Sequence, residues 1–321
     1  LTLAISVGHA EEAANATIAE TTANATVNAK KAAKFGILAV RPKAESMARW
    51  QPLFDYLNSS NPGLALSFEI LTYPELEAAI RHQRVDFVLT QPAHYLLLAQ
   101  RENLQSPIAT LVEQENGKPL SGFGGVIVTR PELKIRELGD LAGKRIATIT
   151  KHSLGGYLAQ ANELRRHGVL LPDDARIVEI GDSQDAPIVE LLNGNVDAAF
   201  VRTGLIEAMH REHKLDIQQL LVINPLAEPG FPLALSTRIY PDWPLAAMPW
   251  APPELARQVA ATVLSMPPDW AAAASTGIQG FTIPGDYRRV DELMRQLRAP
   301  PYDTPQDVML DDIIRQYGEL I

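Results

Sequence analysis

Strand-like runs alternate with helix-like segments along most of this chain, and this alternation restricts the fold more than any other feature. Runs rich in β-branched and aromatic residues occur at 35–40, 66–71, 85–90 and 108–112, a composition that is typical of strands. The segments between them carry apolar residues at helical spacing. The pattern predicts an α/β fold with a mainly parallel sheet that is covered by helices on both faces.

The helix that is predicted first, at residues 45–57, has an apolar face. Met47, Trp50, Phe54 and Leu57 recur there every three or four residues, and we expect these side chains to be buried. The next helices are predicted from Pro74 to about Gln83 and from about Ala93 onward.

A second run of alternating elements begins after the glycine-rich residues 122–125, which suggest a crossing between lobes. Two α/β units joined by two crossing strands predict two α/β lobes with a ligand cleft between them. Lobe 1 would comprise residues 35–122 and 238–321, and lobe 2 residues 123–237. The further predicted elements are strands at 122–129, 145–150, 176–180, 196–201 and 231–237, and helices at 156–167, 186–193, 204–213, 253–266, 286–298 and 306–317.

The first 34 residues differ in composition from the rest. Residues 1–10 are similar to the last part of a secretory signal peptide, with small residues at Gly8 and Ala10. Residues 11–34 are rich in Ala, Thr, Asn and Glu, which is typical of a flexible tether. We therefore expect an exported domain, either free or anchored to the membrane.

Charge and cysteine content exclude several classes of function. The 321 residues have a net charge of −9, so nucleic acid and anionic membrane surfaces are disfavoured as partners. The chain has no cysteine, which excludes disulfides, thiolate metal sites and thiol nucleophiles. We find no Gly-x-Ser-x-Gly, His-Glu-x-x-His or P-loop motif. We therefore expect no catalytic residues, no cofactor and no metal site.

The strand predicted at 145–150 ends in a turn that contains Ser153, Gly155 and Gly156 and leads directly into a helix. A helix start leaves backbone N–H groups without partners and carries partial positive charge. Such a turn suits an anion or a strongly polar small molecule. Alternatively, Ser153 only caps the helix.

Ligands of open α/β sheets lie beyond the carboxyl ends of the strands, and these ends provide the candidate site. Arg202 could bind an oxyanion with its planar guanidinium, or could form a salt bridge to an acid across the cleft. His94 could contact ligand or cap a helix, and Tyr157 could contact ligand or pack inside its lobe. The predicted ligand-binding residues are Arg41, Gln91, His94, Tyr95, Ser153, Leu154, Gly155, Gly156, Tyr157, Gln184, Asp185, Arg202 and Thr203.

Several of these residues lie in motifs that resemble a known family. The chain is similar to PhnD-like (phosphonate-binding-protein-like) type II periplasmic binding domains. More narrowly, it resembles the sensor regions of bacterial histidine kinases such as tetrathionate sensors. The likeness extends over about residues 34–317. Its motifs are 90–95, 123–130, 153–157, 201–204, 281–287 and 297–302.

The resemblance implies a type II periplasmic-binding-protein fold, a two-lobed domain without catalytic activity that closes on its ligand. In phosphonate binders of this family, a Ser/Thr-Gly turn holds the oxyanion, and residues 153–157 match that turn. A His that contacts phosphonate there is matched here by Gln184, followed by Asp185. Arg202 lies where the sensor branch also has Arg.

Two functions remain open, and the residues do not support a third, that of an enzyme. The chain is either the periplasmic sensor domain of a membrane histidine kinase or the substrate-binding protein of an ABC transporter for phosphonate-like or other oxyanion solutes. In both, the partners are a small anionic or zwitterionic ligand and a membrane kinase or transporter module. An enzyme would need an activated nucleophile or a metal.

Overall fold

The computed structural model describes residues 30–104, 106–181 and 183–303. The first part of the chain contains β1 (Lys31–Leu38), α1 (Lys43–Ser60), β2 (Leu64–Leu71), α2 (Tyr73–Arg81), β3 (Phe87–Leu89), α3 (Pro92–Glu102), β4 (Pro107–Glu115) and β5 (Lys118–Leu120). The middle part contains β6 (Gly122–Phe123), β7 (Gly125–Thr129), β8 (Arg145–Thr148), α4 (Ala159–Arg166), β9 (Arg176–Glu179), α5 (Ala186–Leu192), β10 (Ala198–Arg202), α6 (Leu205–Arg211) and β11 (Leu221–Ile223). The last part contains β12 (Tyr240–Pro241), β13 (Pro244–Ala247), α7 (Pro253–Leu264), α8 (Ala273–Thr276), β14 (Ile278–Thr282) and α9 (Arg288–Gln296).

The strands form two main sheets, one in each lobe. The first has the order β14-β4-β13-β3-β1-β2, with β5 paired to β4, and the second has the order β11-β7-β10-β8-β9. Both sheets are mixed, because β13 and β14 in the first and β7 and β11 in the second pair antiparallel with their neighbours. The short strands β6 and β12 pair with each other where the chain passes between the lobes. All strands of the second sheet lie within residues 123–237, although the exact lobe boundaries stay a prediction.

The chain returns from the second lobe to the first without the strand that is predicted at 231–237, so this prediction is wrong. These residues form no strand. Instead, the side chains of Ser236 and Thr237 accept hydrogen bonds from the backbone N–H groups of Ile127 and Gly125. Hydroxyl groups therefore replace strand pairing here, a substitution that hydrophobic periodicity does not reveal.

Two further predictions about the ends of the lobes need correction. The chain after residue 237 is not wholly helical, because β13 and β14 complete the first sheet. β13 has no β-branched residue and lacks the composition of a strand, whereas β14 contains Ile278, Phe281 and Thr282 but is interrupted by Gly280. Lys31 to Lys34 are part of β1 and pair with β2 rather than belonging to a tether. The predicted signal remnant at 1–10, tether residues 11–29 and the helix at 306–317 lie outside the described residues.

The core begins around three aromatic rings of the first lobe. Phe35 stacks on Phe87, with 4.9 Å between ring centroids, and meets Phe54 edge-on at 5.1 Å. Trp50 and Leu57 bury the same face of α1, but Met47 is 40% exposed, so the prediction for Met47 is wrong. Met47 lies at the edge of the buried face of α1, and Leu53 is buried on that face instead.

Candidate functional site

A cavity of about 410 Å³ lies between the two lobes. The first lobe contributes the end of β1, the start of α2 and one face of α3, and the second lobe contributes the loop after β8. Much of the wall is apolar, including Leu97, Ile149, Leu158 and Met294. The side chains that bring polar or charged groups to it include Tyr73, Glu77, His94, Arg101, Thr150 and His152.

The start of α2 forms one wall of the cavity. Thr72 and Glu75 cap this helix reciprocally, and Pro74 occupies its first turn. The cap fixes Tyr73 and Glu77 at the cavity. Burial raises the pKa of the Tyr73 phenol, so Tyr73 is a neutral hydrogen-bonding group at neutral pH.

α3 forms the adjacent wall. The side-chain oxygen of Gln91 accepts from the N–H of Ala93 and caps the helix. His94, Leu97 and Arg101 line the cavity from the same face of α3, as spacings of three and seven residues allow. At about 1.5 Å rise per residue, His94 and Arg101 are separated by roughly 10 Å along the helix.

His94 is buried, with 3% of its surface exposed. Its Nδ1 atom lies 2.8 Å from the Thr90 hydroxyl, and its ring meets that of Tyr73 edge-on. The Nε2 atom lies 3.6 Å from a Glu77 carboxylate oxygen and has no hydrogen-bond partner among the described residues. Burial lowers the pKa of His94, although Glu77 opposes this, so the ring is neutral at neutral pH.

Gln91 connects the two lobes beside the cavity. Its side-chain nitrogen donates to the backbone oxygen of His152 at 3.1 Å and lies 3.4 Å from the Tyr73 hydroxyl. Gln91 is a predicted ligand contact, but its amide is occupied by protein groups. It therefore holds the loop after β8 against the first lobe.

The predicted anion-binding turn forms a single wide helical turn, residues 154–158, before α4. Ser153 accepts from the N–H of Gly156, as the capping alternative predicts. Gly155 packs against Arg202 and Phe123, where an added Cβ would lie 2.8 Å from the Phe123 ring. The turn thus borders the cavity through Leu158 and the preceding loop, while Gly155 faces the crossing strand β6.

Arg202 forms a salt bridge across the cleft, which is the second of the two roles that the sequence predicts for it. Its guanidinium lies 2.7 Å from Glu113 and 3.0 Å from Asp242, both in the first lobe. The group also stacks over the Phe123 ring. Burial opposes the charge of Glu113, but Arg202 and Arg49 outweigh it and lower the Glu113 pKa. Arg202 is therefore neutralised by protein carboxylates and does not line the cavity.

Arg41, Asp185 and Gln184 also join the lobes outside the cavity wall. Arg41 donates two hydrogen bonds to Asp185, at 2.8 and 3.0 Å, and two to Glu212, at 2.6 and 2.8 Å. The backbone N–H of Gln184 donates to the oxygen of Val40. The side chains of Arg41 and Asp185 and the backbone N–H of Gln184 therefore contact protein between the lobes, and their contact with ligand stays a prediction.

The remaining predicted residues have structural environments. Thr203 accepts from the N–H of Gly124 next to β6. Tyr95 is buried beside Tyr287, and Tyr157 is buried beside Phe200. Leu154 and Gly156 are fully enclosed within the second lobe.

The cavity contains residues that the prediction missed. Tyr73 lies two residues after the end of the strand β2, so the strand-end rule that located His94 would also have found Tyr73. Arg101 lies seven residues after His94, on the same helical face. Thr150 and His152 lie in the turn before Ser153, on which the prediction of an anion site centres.

Comparison with known proteins agrees with this architecture. Residues 35–287 match the family model of the periplasmic phosphonate substrate-binding protein of ABC transporters. The chain belongs to this family. Its members are solute-binding proteins. The mixed sheets, the two lobes and the cavity between them agree with membership of the phosphonate-binding family.

Solved structures show the same fold for the phosphonate-binding family. PhnD1 from Prochlorococcus marinus, in complex with methylphosphonate, is 16% identical with a TM-score of 0.64, covering 83% of this chain and 98% of that chain. A binding-protein component of an ABC phosphonate transporter from Pseudomonas aeruginosa is 15% identical with a TM-score of 0.67, covering 91% and 95%. At these identities the likeness concerns the fold alone.

A curated relative of this family member is the tetrathionate sensor histidine kinase TtrS of Salmonella typhimurium strain LT2. The two are 31% identical over 271 residues, which is 83% of this chain. The chain spans 44% of the length of that kinase. Within the described residues, no helix combines the length and the apolar character that a membrane crossing requires.

Three carboxylates of the described part of this family member, Glu45, Asp185 and Glu212, lie close enough to share a cation. Arg41 and Lys214 already contact all three. Their negative charge is therefore compensated by protein cations, and they join the lobes rather than forming part of the cavity.

Proposed function

We propose that this chain is a periplasmic sensor domain whose lobes close on a small anionic ligand and which signals to a membrane histidine kinase. One observation carries the location of the ligand. The Nε2 atom of His94 is buried, lines an interlobe cavity and has no hydrogen-bond partner in the described part of the chain. A buried polar atom without a partner is costly, and a ligand oxygen would satisfy it.

The volume and wall chemistry favour an elongated ligand over a compact ion. A cavity of about 410 Å³ is of the size that small organic ligands occupy, roughly 300–1,000 Å³. His94 and Arg101 can contact opposite ends of one molecule, while the apolar side chains between them contact its body. Glu77 lies beside Nε2 of His94 and opposes negative charge at that end, so Arg101 would supply most of the electrostatic attraction for the ligand.

Tetrathionate, the ligand named for the Salmonella kinase, has this form. Two sulfonate groups are joined by sulfur atoms that are weakly hydrated and polarizable. We infer that this chain binds tetrathionate or a related sulfur oxyanion. The sulfur atoms would lie along the apolar wall near Leu97 and Ile149, where burial is favourable.

Titration calorimetry with tetrathionate, thiosulfate, sulfate and methylphosphonate tests this proposal. We expect tetrathionate to bind most tightly and sulfate to bind weakly or not at all. Arg101→Gln should weaken binding by about tenfold or more, the loss typical of a hydrogen bond to a charged group. Arg165→Gln is the matched control, because Arg165 is exposed on α4 and does not line the cavity. Absence of binding by all four anions would contradict the proposal.

The alternative function, a substrate-binding protein of an ABC transporter, is favoured by the description of the family itself. The two functions use the same cavity and differ in the module to which the domain reports. A membrane span of about 20 apolar residues and a kinase module after this region of the gene would support the sensor. A free binding protein encoded beside transporter subunits would support transport.

A further inference from the structure

A row of ion pairs joins the lobes through one short segment of the second lobe, residues 202–214. This segment, which we call the docking segment, comprises the end of β10, α6 and the turn after it. Within the described residues, every ion pair between the lobes uses a residue of the docking segment, except the pair between Arg41 and Asp185. The pairs of the docking segment are Arg202 with Glu113 and Asp242, Arg211 with Glu115, Glu212 with Arg41, and Lys214 with Glu45.

The local sequence explains why the charges of α6 point across the cleft. Leu205, Ile206 and Met209 are buried in the core of the second lobe, so α6 packs on its own lobe through one face. Arg211 and Glu212 follow at the end of the helix and reach the first lobe, at 2.5 Å from Glu115 and 2.6 Å from Arg41.

The docking segment is separate from the ligand cavity. No residue between 202 and 214 lines that cavity. The ion pairs therefore form between protein groups alone, and they contribute to lobe closure without contacting a ligand.

The pairs differ in exposure along the row. The Arg202 side chain is 14% exposed and Asp242 is fully buried, so this pair is little affected by dissolved salt. Arg211 is 56% exposed and Glu212 is 35% exposed, so their pairs are screened as ionic strength rises. The buried pair keeps the lobes aligned near β6, while the strength of the exposed pairs depends on the ionic strength of the solution.

We propose that the docking segment is a positioning device that sets how often the lobes are closed before any ligand arrives. Arg41, Arg211 and Glu212 act on the ligand site only through closure and are positioning residues. The effect on ligand affinity rests on the function proposed above. If only a fraction of molecules is closed, the apparent Kd increases by the inverse of that fraction.

Small-angle X-ray scattering of the ligand-free protein tests the device without any ligand. We expect the double variant Arg41→Gln/Arg211→Gln to have a larger radius of gyration than the wild type in low salt. In high salt the wild type should expand toward the value of the variant. The control Lys134→Gln/Arg165→Gln removes two charges of the second lobe that form no interlobe pair with the described residues, and it should scatter like the wild type. Equal radii for all three proteins would overturn the proposal.

Calorimetry with tetrathionate then separates this inference from the proposed function. The Arg41→Gln/Arg211→Gln variant should bind about fivefold more weakly, because the three partly exposed interlobe ion pairs that it removes contribute modestly to closure. An expanded variant with unchanged affinity would show that the segment does not govern the ligand site. If tetrathionate fails to bind the wild type while the scattering differs as expected, the device stands and the proposed ligand falls. Far-UV circular dichroism confirms that each variant is folded.

Discussion

At the scale of single residues, Arg202 lies between two carboxylates of the opposite lobe. Arg202→Met would leave Glu113 and Asp242 buried beside each other without the cation between them. Breaking a buried ion pair from one side typically costs about 3–5 kcal/mol. We expect a loss of this size in the free energy of unfolding, measured by urea denaturation.

The control for Arg202 is Arg165→Met, which removes an exposed guanidinium from the same lobe. Its effect should stay within about 0.5 kcal/mol. A loss below about 1 kcal/mol for Arg202→Met would mean that solvent reaches the carboxylates and that the pair is not desolvated.

His94 gives the protein a pH dependence with a definite sign. Burial lowers its pKa in the folded state below the usual value of 6.5, so the unfolded chain binds the proton more readily. The contribution of His94 to stability is therefore complete above pH 6.5 and is lost as the pH falls below that value. Urea denaturation between neutral and mildly acidic pH should show a smaller loss of stability for His94→Gln than for the wild type.

His167→Gln provides the comparison for His94, because the side chain of His167 is 50% exposed. This variant should lose stability with falling pH to the same extent as the wild type. If His94→Gln and the wild type lost stability in parallel, the imidazole of His94 would be solvated in the fold.

At the scale of elements, the turn before α4 depends on a glycine in the neighbouring strand β7. A Cβ on Gly125 would lie 2.4 Å from the Gln160 amide. Gln160 cannot simply move, because its side-chain nitrogen donates to the oxygens of Gly155 and Val201. Gly125→Ala should therefore destabilise the fold by about 1–3 kcal/mol, the usual cost of overpacking. Thermal or urea unfolding measures this loss.

Gly63→Ala is the matched substitution for Gly125, because an added Cβ at Gly63 meets no atom of the described residues within 4 Å. We expect a change within about 0.5 kcal/mol. Equal small effects of the two substitutions would indicate that Gln160 can reorient without losing its hydrogen bonds.

Element prediction succeeds where local pattern and tertiary environment agree. The helices and the parallel strands carry their own periodicity, so their positions follow from the sequence to within a few residues. The antiparallel strand β13 does not, since neighbouring strands rather than strand-forming residues define it. The positions of the strand ends identified the wall of the cavity that contains His94. They could not show which polar side chains are already bonded to other protein groups, as those of Arg202 and Gln91 are.

At the scale of the whole molecule, the lobes share one core. The largest cluster of buried apolar residues extends from Phe35 and Leu89 in the first lobe to Tyr157 and Phe200 in the second. α9 contacts both α3 and α4, and so packs against both lobes. Ion pairs of the docking segment add further contacts between them. The lobes should therefore unfold together rather than one after the other.

The distribution of tryptophan makes this cooperativity measurable. Trp50, Trp243, Trp250 and Trp270 all lie in the first lobe, so tryptophan fluorescence reports on that lobe alone, whereas far-UV circular dichroism reports on both. We expect the two signals to give the same urea midpoint in the wild type. Arg202→Met removes a buried interlobe pair, so it should lower both midpoints. Distinct midpoints in the wild type would mean that the shared core does not couple the lobes.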